Sequence, residues 1–335
     1  MRTAATRFRR GVVASGAVAA AALLAACGRG SPSAVSPQAP QSHVIARVWW
    51  LMFGLAIAVY LVVGGFIIVA LLRRPRDDEA GAARRENRFI WLGGIIVPAL
   101  ILGFLGVVTV RATADIRGTK GRPVQIEVVG RRWWWEVRYP SDGIVSADEV
   151  HVPVGRPVNI RLRSDDVIHS FWVPQLMGKV DMLPDHANNI HFTAQRAGTY
   201  LGECAEFCGL QHARMRFMVV AQAPADFDVW TLRHRGPAHA PATEEEARGQ
   251  MVLVRSACAG CHTVRGTEAI GRAGPDLSDV GSRATIGAGT VPNDTGNLAG
   301  WVVNSQSIKP GNLMPPVSLE PGELQALVAY LQSLK

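Results

Sequence analysis

Two long apolar stretches constrain the fold of this chain more than any other feature. Neither Val48–Leu72 nor Phe89–Val110 contains a charged residue. Each stretch exceeds the roughly 20 residues that a helix needs to cross the hydrocarbon core of a membrane. We therefore predict a transmembrane hairpin over residues 44–115, with helices at about 48–72 and 89–110, rather than buried core helices of a soluble domain.

The charges around the hairpin predict its orientation. Between the two stretches lie six arginines, Arg73, Arg74, Arg76, Arg84, Arg85 and Arg88. Because basic loops are retained in the cytoplasm, everything after Val110 is expected on the periplasmic or extracellular face of a bacterial plasma membrane. The net charge of +8 does not indicate a nucleic-acid partner, since residues 244–335 hold seven Lys/Arg against nine Asp/Glu.

The N-terminus predicts export to that same side. Residues 1–26 combine a basic start, a short apolar run and Leu-Ala-Ala before Cys27, which is typical of a secretory signal. Cysteine after Leu-Ala-Ala resembles the bacterial lipoprotein signal, which implies cleavage before Cys27 and lipidation of its thiol. A plain signal peptide with an incidental cysteine is the alternative. Residues 27–43, rich in Ser, Pro and Ala, are expected to form a flexible spacer.

The middle of the chain, residues 120–235, is predicted to be a small all-β domain. Short apolar runs at Val124–Val129, Val150–Val154 and Val158–Leu162 are each bounded by Gly, Pro or Asp. Runs of this length and spacing are typical of the strands of a sandwich or barrel.

Two stretches of this domain offer ligands for a metal. They supply two thiolates, two imidazoles and a thioether, from Cys204, Cys208, His169, His212 and Met215. Soft sulfur with imidazole suits copper, and a weak methionine ligand is typical of copper electron-transfer sites. A structural zinc site of two Cys and two His is the alternative, but zinc would leave Met215 without a role.

The C-terminal part of the chain predicts a covalently bound haem. After a Pro- and Ala-rich linker at 236–243, Cys258, Cys261 and His262 form a C-x-x-C-H attachment motif. The two thiols would form thioethers, and His262 would bind the iron. Met314, in a stretch rich in Pro and Gly, is the candidate second axial ligand; a core methionine is the alternative.

Helices are predicted on both sides of this motif. Glu244–Arg255 is expected to be a helix capped by Thr243, and Pro321 to about Leu334 has an apolar pattern of helical period. The remaining histidines are expected in loops or at the surface: His43, His151, His186, His191, His234 and His239.

Residues from about 44 to 235 resemble cytochrome c oxidase subunit II. The resemblance rests on C-A-E-F-C-G-L-Q-H-A-R-M at 204–215 and on H-S-F-W-V-P at 169–174, which look like the motifs of the dinuclear CuA centre. It implies a two-helix transmembrane hairpin followed by a cupredoxin-like barrel. Residues 244–335 resemble an all-α class I cytochrome c, so the whole chain resembles the fused subunit of caa-type oxidases.

The resemblance also implies roles for individual residues of the copper centre. Cys204 and Cys208 would bridge both copper ions. The other ligands would divide between the two ions as two pairs, His169 with Met215 and His212 with the backbone carbonyl of Glu206. The side chain of Glu206 would face a magnesium or manganese ion shared with subunit I.

Two further positions match, or depart from, the family pattern. Trp133 matches the tryptophan through which electrons enter CuA, although core or interface packing is the alternative for such an aromatic cluster. The family usually has a glutamate where this chain has Arg88, with Glu86 two residues away. A proton-uptake role of this subunit is therefore left open.

The implied function is that of the electron-entry subunit of a proton-translocating terminal oxidase. Electrons would pass from cytochrome c or a similar donor to haem c, to CuA, and on to subunit I, where oxygen is reduced to water; subunit III is a further expected partner. The alternatives are a CuA subunit of a nitric oxide reductase type of enzyme, or a membrane-anchored copper and haem redox protein without an oxidase partner.

Overall fold

The computed structural model describes residues 32–73, 86–117 and 121–335. The signal segment 1–26, Cys27 and most of the arginine-rich loop lie outside the described residues. Cleavage, lipidation and the cytoplasmic position of that loop therefore stay predictions.

Within the described residues, two helices are long and apolar enough to cross a membrane. Helix α1 spans Pro40–Leu72. The second runs through a π-helical segment, Ile90–Ile96, into helix α2, Val97–Arg117. The most apolar window of each helix is entirely unburied within the chain, as expected for surfaces that face lipid.

Helix α1 begins earlier than predicted, so the end of the expected spacer 27–43 is helical. Pro40 stands at the start of the helix, where its missing N–H and fixed φ are favourable. Ser42 Oγ accepts from Ala39 N–H at 3.1 Å and donates to the Gln175 carbonyl at 2.7 Å, and Gln38 N–H donates to that same carbonyl at 2.7 Å. The first turn is thus hydrogen-bonded to the β-domain, which orders residues that composition alone suggested were flexible.

The middle domain consists of two five-stranded sheets. Its strands are β1 (Val124–Arg131), β2 (Trp134–Tyr139), β3 (Ile144–Ala147), β4 (Glu149–Pro153), β5 (Val158–Ser164), β6 (His169–Trp172), β7 (Val180–Met182), β8 (Asn188–Phe192), β9 (Gly198–Cys204) and β10 (Arg216–Gln222). The strand order is β3-β2-β1-β5-β8 in one sheet and β4-β10-β9-β6-β7 in the other. The predicted cupredoxin-like, all-β architecture is confirmed.

Alternating apolar side chains of both sheets form one core. In β5, for example, Val158, Ile160 and Leu162 are fully buried, whereas the residues between them are not. Trp135 of β2 is also fully buried and packs against Phe217 of β10, with ring centroids 4.8 Å apart. This core supports the strand ends from which the metal-ligand candidates project.

Helix α3 (Pro224–His234) closes the β-domain and corrects the expectation for two histidines. His151 lies in β4, and its ring stacks on Trp230 at 4.3 Å, while the His234 ring stacks on Trp230 at 4.6 Å. His234 is buried, and its Nδ1 lies 2.7 Å from the Trp230 carbonyl. A histidine near the end of an amphipathic helix looks exposed in sequence because its aromatic partner packs it inward only in the fold.

The regular structure of the C-terminal domain is helical apart from one hairpin of two short strands, each two residues long. It contains α4 (Glu244–Arg255), α5 (Cys258–Cys261), β11 (Thr285–Ile286), β12 (Val291–Pro292), α6 (Thr295–Ile308) and α7 (Pro321–Ser333). As predicted, Thr243 caps α4: its Oγ1 accepts from Glu246 N–H at 3.2 Å. Helices α4 and α7 pack so closely that Gly249 has no room for a side chain. The space that a Cβ atom would occupy is filled by the backbone of Ala326.

Candidate copper and haem sites

Three neighbouring strands bring the copper-ligand candidates to one end of the β-domain. His169 begins β6, Cys204 ends β9, and Met215 immediately precedes β10. The register pairs Phe171 with Cys204, and Cys204 N–H donates to the Met215 carbonyl at 3.0 Å. The predicted ligand loop is therefore a connection between two paired strands and not one helix face.

The donor atoms in this loop converge. Cys204 Sγ lies 3.8 Å from Cys208 Sγ and 3.9 Å from His169 Nδ1. Cys208 Sγ lies 3.8 Å from both His212 Nδ1 and Met215 Sδ. The carbonyl oxygen of Glu206 completes the set, at 3.2 Å from Cys204 Sγ. Four of the six predicted positions thus lie around the sulfur atoms of the other two, Cys204 and Cys208.

Burial and hydrogen bonding prepare this cluster for a metal. Cys204, Cys208 and His169 are buried, and their ligand atoms lie within 4.8 Å of one another. The hydrogen bond between the two thiols lowers the pKa of Cys204 and raises the pKa of Cys208. Thiolates are the form in which cysteine binds soft metals, so a pair of close thiols suits this role.

Asp166 orients the His169 ring and was not identified from the sequence. Its Oδ1 lies 2.8 Å from His169 Nε2, so Nδ1 is the ring nitrogen that faces Cys204. Burial alone would raise the pKa of Asp166, but its hydrogen bonds, foremost with His169, lower it to about 2. Its position three residues before the histidine is the only sequence signal, and such spacing is too common to be diagnostic.

Trp133 is part of this site. Its indole Nε1 donates to the Cys208 carbonyl at 2.9 Å, and its side chain is buried. Gly209 adopts a φ of +112°, and an added Cβ there would lie 3.2 Å from the Trp133 ring. Glycine at 209 therefore allows both the turn of the ligand loop and the close approach of the indole.

The side chain of Glu206 faces outward, whereas its backbone carbonyl faces the sulfur atom of Cys204. It is 45% exposed, and its carboxylate lies 3.9 Å from Lys179 Nζ. The neighbouring Phe207 is 77% exposed despite being a large apolar residue. This part of the loop therefore exposes an acidic group and an aromatic ring on the surface of the protein.

A second site is a largely apolar cavity of about 290 Å³ in the C-terminal domain. All four predicted haem residues, Cys258, Cys261, His262 and Met314, line it. Leucines of α4 and α7 form part of its wall, namely Leu253, Leu327 and Leu331. Two thiols, an imidazole and a thioether around one apolar cavity fit a covalently attached porphyrin with two axial ligands.

The His262 ring is held in the orientation that an axial ligand needs. Its Nδ1 lies 2.8 Å from the Pro275 carbonyl, which leaves Nε2 available for iron. Burial lowers the pKa of His262 and favours the neutral, ligating form. A Cβ at Gly274 would lie 2.6 Å from the ring, so only glycine leaves room for it.

Met314 is fixed by the end of helix α6. Its carbonyl accepts from Ser305 Oγ and from Gln306 Nε2, both at 2.9 Å, and its N–H donates to Asn312 Oδ1 at 2.8 Å. These bonds use only backbone atoms of Met314 and leave its thioether to line the cavity.

The cavity is not walled by the C-terminal domain alone. Arg132, Trp133, Trp134 and Asp148 of the β-domain also line it. Trp133 therefore contacts both the candidate copper loop and the candidate haem cavity. Sequence reasoning identified this residue but could not show that it joins the two sites.

Comparisons with known proteins agree with this arrangement. Residues 142–222 match the family model "Cytochrome C oxidase subunit II, periplasmic domain", and residues 246–335 match "Cytochrome c". The chain is 34% identical to cytochrome c oxidase subunit 2 of Alkalihalophilus pseudofirmus, over 90% of this chain and 91% of the relative. It is 30% identical to cytochrome c oxidase subunit 2 of Bacillus subtilis, over 81% of this chain and 82% of the relative.

A solved structure with partial similarity is the periplasmic domain of cytochrome oxidase subunit II (CoxB) of Bradyrhizobium japonicum. It has 25% sequence identity and a TM-score of 0.34, and the match covers 35% of this chain and 97% of that structure. The two domain matches imply copper in the first domain and haem c in the second. From its two apolar helices, its two soluble domains and its full-length relatives, the chain belongs to the cytochrome c oxidase subunit II family, in the form that carries a C-terminal cytochrome c domain.

Proposed function

We propose that this chain carries electrons from a c-type haem, attached at Cys258 and Cys261, to a dinuclear CuA centre and on to subunit I, where oxygen is reduced. His262 and Met314 would hold the haem iron. The copper ligands would be those implied by the resemblance: His169, Cys204, the Glu206 carbonyl, Cys208, His212 and Met215. Two copper ions bridged by two thiolates would share one electron.

The observation that carries this proposal is the position of Trp133. It lines the cavity that contains the haem-attachment residues, and its indole donates to the carbonyl of Cys208. An aromatic residue that contacts both sites is well placed to couple them. The fused domain also raises the effective concentration of a haem next to the copper loop, as tethering generally does.

The distribution of the histidines favours two metal ions over one zinc. His169 approaches Cys204, whereas His212 approaches Cys208, so the imidazoles flank different sulfur atoms. A tetrahedral zinc ion would place both imidazoles and both thiolates about 2 Å from one point. Met215 also lies against Cys208, and a thioether suits copper rather than structural zinc.

The outward face of the ligand loop supports contact with subunit I. Glu206 offers a carboxylate for a magnesium or manganese ion at that contact, and the exposed ring of Phe207 offers apolar area for burial against a partner. We place both soluble domains on the periplasmic or extracellular face of a bacterial plasma membrane, where cytochrome c or a similar carrier would deliver electrons. Subunit III would complete the assembly.

Metal analysis of a reciprocal pair of variants tests the proposal. The unaltered protein should hold two coppers and one covalent haem, with a mixed-valence electron paramagnetic resonance signal coupled equally to both copper nuclei. Cys208→Ser should abolish that signal and retain the haem, whereas Cys261→Ser should impair haem attachment and retain the signal. A single zinc in the unaltered protein would contradict the copper site.

A further inference from the structure

Lys309 lies at the boundary between the two soluble domains. It follows the last residue of α6 and is only 2% exposed, although lysine is almost never fully buried unless paired. Its Nζ donates to three backbone carbonyls, those of Trp133 at 2.8 Å, Arg214 at 2.8 Å and Gly287 at 2.9 Å. An ammonium group has three donors, so every one of them is used.

Those three carbonyls belong to both domains. Trp133 and Arg214 are parts of the β-domain next to the candidate copper ligands, whereas Gly287 belongs to the C-terminal domain. The ammonium can therefore keep all three partners only while the two domains are docked. Undocking would remove two of the three partners, the carbonyls of Trp133 and Arg214.

The backbone of Lys309 is in turn connected to the candidate haem ligand. Asn312 Nδ2 donates to the Lys309 carbonyl at 2.8 Å, and Asn312 Oδ1 accepts from Met314 N–H at 2.8 Å. At the other end, Trp133 Nε1 donates to the Cys208 carbonyl. One lysine thus joins the Met314 loop, through Trp133, to the candidate copper loop.

Other contacts along the same boundary are also polar. Arg214 Nη1 donates to the Ile308 carbonyl at 2.6 Å, and Glu149 accepts from Ala284 N–H at 2.7 Å. Gln211 donates to the Pro310 carbonyl. Glu149 is also buried and charged, but Lys309 differs in that one ammonium holds carbonyls of both domains at once.

We infer that Lys309 is a positioning residue for electron transfer: its ammonium fixes the haem-bearing domain against Trp133 and the copper loop. This inference rests on the proposed function, because it assumes that electrons cross this boundary. Lysine would act here through the carbonyls it holds, although Lys309 also lines the candidate haem cavity. Its removal should therefore change chiefly the rate of transfer between the sites.

The first test is Lys309→Met in the full-length protein, which retains an unbranched apolar stem and removes the ammonium. Photoreduction of the haem should be followed by electron transfer to copper that is slower by about tenfold or more, because an undocked domain meets Trp133 only at the effective concentration that its linker allows. The absorption and electron paramagnetic resonance spectra of both centres should persist, which shows that both sites still form. Transfer should also become dependent on solvent viscosity, because an undocked domain has to diffuse.

Lys335→Met is the matched control, because Lys335 is exposed at the last residue of the chain. It should transfer electrons at the unaltered rate. An equal rate in Lys309→Met would overturn the inference. Absence of haem-to-copper transfer in the unaltered protein, with both centres present, would instead refute the proposed route and with it this role of Lys309.

A second measurement needs no variant and decides the matter if Lys309→Met does not assemble. An amine-reactive acetylating reagent should modify the exposed Lys179 and Lys335 of the unaltered protein quickly and leave Lys309 protected. Mass spectrometry of the peptides gives the three rates. Modification of Lys309 as fast as Lys335 would show that the domains are undocked and would overturn the inference whatever the route of the electrons.

Discussion

The contact between helices α4 and α7 should be intolerant of a single methyl group at Gly249. A Cβ at this position would lie 2.0 Å from the Ala326 carbonyl oxygen and 2.7 Å from Tyr330 Cβ. Real Cβ atoms essentially never approach other atoms within 3.0 Å. Because the obstacle is backbone and cannot rotate away, Gly249→Ala must force the two helices apart.

The expected loss of stability follows from two opposing effects. Overpacking of this kind costs about 1–3 kcal/mol, and the rigid obstacle places it near about 3 kcal/mol. Replacing glycine by alanine inside a helix returns about 1 kcal/mol. The net loss is about 2 kcal/mol, which in a domain of roughly 90 residues lowers the melting temperature by about 8–16 °C.

Thermal melting followed by haem absorbance measures this loss locally, because leucines of α4 and α7 line the cavity. Gly322→Ala is the matched control: it lies in α7, and no atom lies within 4 Å of its added Cβ. It should melt at or slightly above the temperature of the unaltered protein. If Gly249→Ala melted together with this control, the close helix contact and the reasoning from it would be refuted.

Two further predictions concern the candidate cofactor sites. Met314→Ala should lower the haem midpoint potential, because histidine–methionine ligation raises it, and should leave the copper signal intact; loss of that signal would show that the two sites do not form independently. Trp133→Phe removes the indole donor to the Cys208 carbonyl and should slow haem-to-copper transfer while metal content and both potentials persist; an unchanged rate would show that this residue only packs.

The sequence was most informative where ligands lie close together in the chain. Cys204, Cys208, His212 and Met215 fall within one short motif, so their spacing alone indicated a common site. The strands and helices with clear periodicity, such as Val158–Leu162 and the segment from Pro321, were also predictable because one face of each is buried.

The remaining features depend on contacts between segments distant in sequence. Lys309 is an ordinary charged residue in the sequence, and only the carbonyls of the β-domain explain its burial. Asp166 acquires its role from a ring that the fold brings against it. Helix α1 begins at Pro40 because Gln175 provides an acceptor that no local pattern reveals.

The hydrogen bonds between the start of helix α1 and Gln175 have a mechanical consequence. Since helix α1 begins at these bonds, they fix the β-domain relative to the start of an apolar helix that is long enough to cross a membrane. A copper loop held in this way would meet an embedded partner at the same depth each time. Rigidity at this joint would reduce the orientational search when such a partner binds.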